Sequence, residues 1–142
     1  MGNFFGTYNR SLDVKNRLQV PSKLISDLPK RFYAIRGFEG CLAVYLEEDF
    51  SRLKEKLQSL SFLSKAARDY IRAIASSVKE LEVDSHGRIT VDRDLLEKYK
   101  ISQEVTVVGV VDHFELWDRK VYEEYSSKIE ETFEENAERL VP

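Results

Sequence analysis

One stretch of this chain occurs twice. Residues 13–20 read DVKNRLQV and residues 84–91 read DSHGRITV, so an Asp, three residues, an Arg, an apolar residue, a polar residue and a Val recur 71 positions apart. Leu24 falls opposite Leu95 at the same offset, and after a slip of one residue Gly37 falls opposite Gly109. CLAVYLEEDF (41–50) then matches HFELWDRKVY (113–122) in the phase of its apolar and aromatic positions, and Leu53 and Leu57 fall on Tyr125 and Ile129. Self-similarity at a fixed period marks one supersecondary unit used more than once, so the fold must be sought per copy. The chain has 142 residues, and a copy of that size buries little core by itself. Stability is therefore expected from pairing of the two copies and from association between chains. No low-complexity linker separates the halves, which predicts that they pack together.

Each copy carries the same plan. A short strand leads into a tight turn at Asp-x-x-x-Arg, and a second strand follows the Arg. A brief helical turn comes next. It starts at Pro21 in the first copy, where a missing N–H costs nothing, and at Asp92 in the second, a residue suited to capping. Two apolar strands joined by a tight connection follow: Phe32–Ile35 with Cys41–Leu46, and Val105–Val111 with Phe114–Trp117. The connections Gly37-Phe38-Glu39-Gly40 and Val111-Asp112-His113 read as hairpin turns. Each copy ends in an amphipathic helix: Phe50, Leu53, Leu57 and Leu60 share one face, and Val121, Tyr125, Ile129, Phe133 and Ala137 recur every fourth residue. Between the copies, the alanine-bearing stretch Phe62–Ser77 predicts one further helix. The division that follows is 1–60 for the first module with its terminal helix, 61–77 for a linking helix, and 78–142 for the second module with an acidic terminal helix.

The net charge is −3, which by itself argues against a nucleic-acid partner, but the distribution matters more. Residues 1–36 hold seven basic and two acidic side chains, and residues 112–142 hold four basic and ten acidic ones. An anionic partner would meet the basic start, where Arg10, Lys15, Arg17 and Lys23 surround the first Asp-x-x-x-Arg turn. Arginine offers a planar fork that pairs with phosphate or with the O6 and N7 acceptors of guanine. The acids Asp13 and Asp84 do not favour phosphate. They read as structural members of the motif, accepting hydrogen bonds from turn amides or orienting the neighbouring Arg.

Enzyme chemistry has little to stand on. Asp84, Ser85 and His86 are of triad types but consecutive, and consecutive strand residues point to opposite faces. His86, His113 and Cys41 are the soft metal-ligand types present, without paired ligand spacing, and no glycine-rich phosphate loop is legible. A single cysteine, Cys41, excludes an intrachain disulfide and sits in an apolar run that predicts a core position. The longest apolar stretches fall short of the ~18 residues that span a bilayer, and the opening MGNFFGTYNR carries no secretory pattern. The expected location is the cytoplasm, with no membrane, metal or cofactor.

The segments Asp13-Val14-Lys15-Asn16-Arg17-Leu18-Gln19-Val20-Pro21 and Asp84-Ser85-His86-Gly87-Arg88-Ile89-Thr90-Val91 resemble the looped-hinge, or swapped-hairpin, DNA-binding modules of the AbrB type. Two such modules in one chain, with Phe114-Glu115-Leu116-Trp117-Asp118 in the second, resemble the MraZ family over nearly the whole length. The resemblance implies an α+β, β-rich fold of two tandem modules with pseudo-twofold symmetry, each followed by a C-terminal helix. It implies a transcriptional regulator that binds short direct repeats of double-stranded DNA upstream of its own division and cell-wall operon. It also implies a homo-oligomeric ring and association with the nucleoid. The residues it turns toward DNA are Lys15 and Arg17 in the first copy and Arg88 in the second, with Arg10 in the same basic cluster. His86 stands at the lysine-like position of the second copy, and Asn16 stands where a glycine is usual in the first. The competing reading is an antitoxin-like protein-interaction module.

Overall fold

Among the described residues, alternating or continuous apolar runs form eight strands and the amphipathic stretches form five helices. The computed structural model describes residues 3–141; Met1, Gly2 and Pro142, the outermost ends of the two expected modules, lie outside it. The order is β1 (Thr7–Ser11), β2 (Arg17–Gln19), a 3-10 turn (Ser22–Leu24), β3 (Arg31–Arg36), a second 3-10 turn (Phe38–Gly40), β4 (Leu42–Tyr45), α1 (Glu47–Gln58) and α2 (Lys65–Ala75). Then follow β5 (Lys79–Glu82), β6 (Arg88–Thr90), α3 (Arg93–Lys98), β7 (Glu104–Gly109), β8 (Phe114–Asp118), α4 (Arg119–Glu131) and α5 (Phe133–Leu140). The fold is α+β, dominated by one six-stranded sheet. Among the described residues no helix is long and apolar enough to cross a membrane.

Six strands form one antiparallel sheet in the order β1-β7-β8-β4-β3-β5, and β2 pairs with β6 in a separate ladder. If each strand is exchanged for its counterpart in the other copy, this order reads the same from the opposite edge. That is the signature of a pseudo-twofold axis, here between β4 and β8, which pair at Leu42↔Leu116. The copies are interlocked. β1 of the first pairs with β7 of the second, and β5 of the second pairs with β3 of the first. The two strands flanking each Asp-x-x-x-Arg turn thus form no ladder with each other beyond the bonds that close the turn and, in the second copy, a single Val83↔Ile89 bridge. Each finds its partner in the other copy.

Side chains on the two faces of the sheet build two cores. Phe32, Ala34, Leu42, Val44, Val105, Val107, Phe114 and Leu116 point one way and meet Leu18 and Val20, Ile89 and Val91, and Leu95 of α3. Phe114 packs between Phe4 and Phe32, with ring centroids 5.7 and 5.2 Å away. On the other face Ile35, Ala43 and Tyr45 are covered by Phe50, Leu53 and Leu57 of α1 and by Ile74 of α2. Tyr125 of α4 stacks on Trp117 at 5.0 Å, covering the equivalent region of the second copy. Leu53 and Leu57 are thus used within the chain, whereas Leu60 lies beyond the end of α1 and is exposed. Cys41 is buried, and burial pushes its thiol far above the usual range.

The caps follow from the sequence. Asp92 Oδ1 accepts the N–H of Leu95 at 2.9 Å, and Ser64 Oγ accepts that of Ala67 at 3.3 Å, starting α3 and α2. The periodicity from Val121 to Ala137 predicts one helix, but the chain breaks it at Thr132, whose φ of −104° and ψ of 8° leave the helical region. The Thr132 hydroxyl turns back on the carbonyls of Lys128 and Ile129, and Asn136 donates from its side-chain amide to that hydroxyl. Such local bonds compete with the helical ladder. Beyond the break α5 leaves the sheet, with Phe133 and Leu140 69% and 83% exposed.

A partly buried charge cluster sits beside the central strands. His113 contacts Asp112 through Nδ1 at 2.7 Å and Glu115 through Nε2 at 3.5 Å, and its ring stacks on Tyr45. Burial opposes the imidazolium, but the two carboxylates outweigh it, so the pKa of His113 is raised. A group with a raised folded-state pKa stabilises fully below its unfolded value, near 6.5, and loses that contribution as pH rises through the folded value. The urea midpoint is therefore expected to fall between pH 6 and pH 8, and His113→Gln is expected to flatten that slope. A parent midpoint that stays level or rises over this window rules the contribution out.

Candidate nucleic-acid interface

The two Asp-x-x-x-Arg turns are built alike, hydrogen bond for hydrogen bond. In the first, the Asp13 N–H donates to the Arg17 carbonyl at 3.1 Å and the Asn16 N–H to the Asp13 carbonyl at 3.0 Å. Asp13 Oδ1 accepts the N–H groups of Lys15 and Arg17, both at 2.9 Å, and Oδ2 accepts Arg17 Nε at 2.6 Å. In the second, Asp84 Oδ1 accepts the N–H groups of His86 and Arg88, both at 2.9 Å, and Oδ2 accepts Arg88 Nε at 2.9 Å. The fourth residue of each turn is left-handed, Asn16 at φ 58° and Gly87 at φ 79°. Asparagine tolerates that region better than other side-chain-bearing residues, which accounts for its standing where the second copy has glycine.

These bonds fix the electrostatics. The Asp84 carboxyl is held down to about 2, chiefly by the Arg88 N–H, with the His86 N–H and the Arg88 guanidinium adding to it against the cost of burial. Asp13 is lowered from the same kind of donors, the Arg17 N–H first. Each aspartate thus stays ionised and holds its arginine by Nε alone. Among the described residues the Nη atoms of Arg17 and Arg88 make no hydrogen bond, so the outer edge of each fork is open. Asp84, Ser85 and His86 form one turn, in which the carboxylate is committed to amides and to Arg88.

The turns also lock onto each other's copy. The Val20 N–H donates to the Gly87 carbonyl at 3.1 Å, and the Val91 N–H donates to the Asn16 carbonyl at 2.9 Å. The register of the β2–β6 ladder is Arg17↔Thr90, Leu18↔Ile89, Gln19↔Arg88. Leu18 and Ile89 are fully buried. Because strand side chains alternate between faces, Arg17, Gln19, Arg88 and Thr90 share the opposite, outward face. The two arginines occupy diagonal positions of the ladder, roughly 7–8 Å apart at the backbone, about two steps of a 3.4 Å base stack. Gln19 is steadied by a hydrogen bond from its amide nitrogen to the His86 carbonyl at 2.8 Å. Lys15 and His86 stand exposed at opposite ends of this ribbon, one on each turn.

Of the residues singled out in the sequence, the ribbon and its turns gather Asp13, Lys15, Arg17, Asp84, His86 and Arg88. Arg10 is not among them. It lies on the edge strand β1, its guanidinium 5.7 Å from the Tyr8 ring centroid, and its carbonyl accepts Arg119 Nη2 at 3.1 Å. Gln19 and Thr90 were missed, although the period-2 alternation about Leu18 and Ile89 was available to find them.

One sheet and one ribbon shared by two exchanged copies define a duplicated swapped-hairpin protein. The family described as "MraZ protein, putative antitoxin-like" matches the chain twice in tandem, over residues 3–73 and 74–142. The chain belongs to the MraZ family.

Proposed function

We propose that this protein is a sequence-specific DNA-binding transcriptional regulator that presents the β2–β6 ribbon to the major groove. The observation that carries the reading is the outward face of that ribbon, where Arg17, Gln19, Arg88 and Thr90 stand together with both guanidinium forks oriented by buttressing aspartates. A two-stranded ribbon fits the width of the major groove, and arginine and glutamine are side chains that pair bidentately with guanine and adenine edges. Lys15 and His86, at the ends of the ribbon, suit the flanking phosphates. Short direct repeats upstream of the chain's own division and cell-wall operon are the DNA this reading assigns, and the nucleoid is its location.

Repeated contacts follow from self-association into a ring. Val121, Ile129, Phe133 and Leu140 are exposed along α4 and α5, with Val141 just beyond, and apolar side chains in such number mark an interaction face. Linked modules raise avidity without any new kind of contact. A pure monomer by light scattering at micromolar concentration defeats the ring. The same acidic helices favour a second reading, a docking face for a basic protein partner of the antitoxin-like type. Fluorescence anisotropy separates the two. On a duplex from the upstream region the protein is expected to bind more tightly than on a scrambled duplex, with log affinity falling by about 0.9 per phosphate contact against log salt. Equal, undetectable binding to both duplexes overturns the DNA reading.

A further inference from the structure

The two turns share one backbone but not one chemistry. At the second position the first turn carries Val14 and the second carries Ser85. Val14 is 97% exposed, the most exposed of the large apolar side chains among the described residues. It contributes nothing to either core, and the backbone around it is held by the Lys15 and Arg17 N–H groups, which donate to Asp13 Oδ1, and by the Asp13 N–H, which donates to the Arg17 carbonyl. An apolar side chain held rigidly in solvent beside the exposed Lys15, at the end of a ribbon suited to the major groove, has one complementary feature there. That feature is the C5 methyl group of thymine, the apolar marker on base edges in this groove. We propose that Val14 reads a thymine methyl at one end of the DNA site, and that the Ser85 turn lacks this contact at the other. The inference rests on the ribbon's engagement of DNA proposed above. It gives a pseudo-twofold reader a direction: the protein meets its site in one orientation, set by where the methyl lies.

The test replaces thymines one at a time by deoxyuridine in the upstream duplex, which removes a single methyl and leaves base pairing intact, and measures affinity of the full chain by anisotropy. The parent is expected to weaken about four-fold, the effect of one methyl group's burial, at one thymine near the same end of each repeat. Val14→Ser is expected to bind the unmodified duplex at least about four-fold more weakly, because the loss repeats in every engaged subunit, and to become indifferent to that same replacement. Ser85→Val is expected to add a second sensitive thymine at the opposite end. A parent indifferent to every replacement, or a Val14→Ser variant that keeps the parent's sensitivity, overturns the inference while leaving DNA binding itself intact. A change of mass by light scattering in Val14→Ser also overturns it, assigning the side chain to contact between copies. A parent that binds no duplex fails the functional reading and this inference together. Circular dichroism of each variant is expected to match the parent, since neither position is packed.

Discussion

Arg17→Ala is expected to abolish detectable binding to the upstream duplex. Loss of one base-reading arginine costs about 1–3 kcal/mol per contact, and in a ring the loss repeats in every subunit. Arg88→Ala is expected to weaken binding less, because Lys15 flanks the first turn where the second offers His86. The buttressing geometry adds a control. Arg17→Lys keeps the charge but loses the Nε bond to Asp13 and the planar fork, so it is expected to bind nearly as poorly as Arg17→Ala while keeping a similar salt dependence. The side chain is 29% exposed and tied to Asp13, so each variant needs its own thermal melt. Parent-like binding by Arg17→Ala, or binding lost only in step with folding, makes the arginine a turn residue and moves the DNA surface elsewhere.

Phe114→Ala is expected to cost about 3–5 kcal/mol, a large share of the roughly 5–15 kcal/mol that holds an ordinary domain folded. The ring is fully buried, meets both Phe4 and Phe32, and lies on β8 at the seam where the two copies join. Neither neighbour can refill the void without leaving its own contacts in the sheet. A denaturant midpoint that implies less than about 1 kcal/mol would show a core free to collapse around the loss, against the close packing that folded interiors share.

Most local structure was legible because its causes are local. The strands β3, β4, β7 and β8, the cap at Asp92 and the helix between the copies follow from alternation, capping chemistry and composition within a few residues. The repeat itself announced the pseudo-twofold. What stayed hidden was pairing across the copies. Nothing in Thr7–Ser11 names Glu104–Gly109 as its partner, because a strand's propensity reports its fit to a half-buried surface rather than to one neighbour. Hence the ribbon face was read only as two turns, and Gln19 and Thr90 came into view once Leu18↔Ile89 fixed the register. The break at Thr132 was hidden for the opposite reason. Its cause is local, but the fourfold spacing runs through it, and a periodicity count cannot see a hydroxyl competing for carbonyls. The same count set Phe133 in line with Tyr125 and Ile129 on one helical face, which the chain itself does not cover at Phe133.

The exchange of β1 and β5 between the copies has a consequence during synthesis. Thr7 pairs with Val108, about 100 residues later in the chain, so β1, once synthesised, waits for a strand made long after it. No intermediate length of nascent chain can close the sheet, and contacts so distant in sequence make for slow closure. Throughout that interval β1 is unpaired beside a growing polysome, where the strand it requires is being made by neighbouring ribosomes as well as by its own. The pairings that interlock two copies within one molecule are the same pairings that two molecules would exchange, so rapid closure of one chain works against that misassembly.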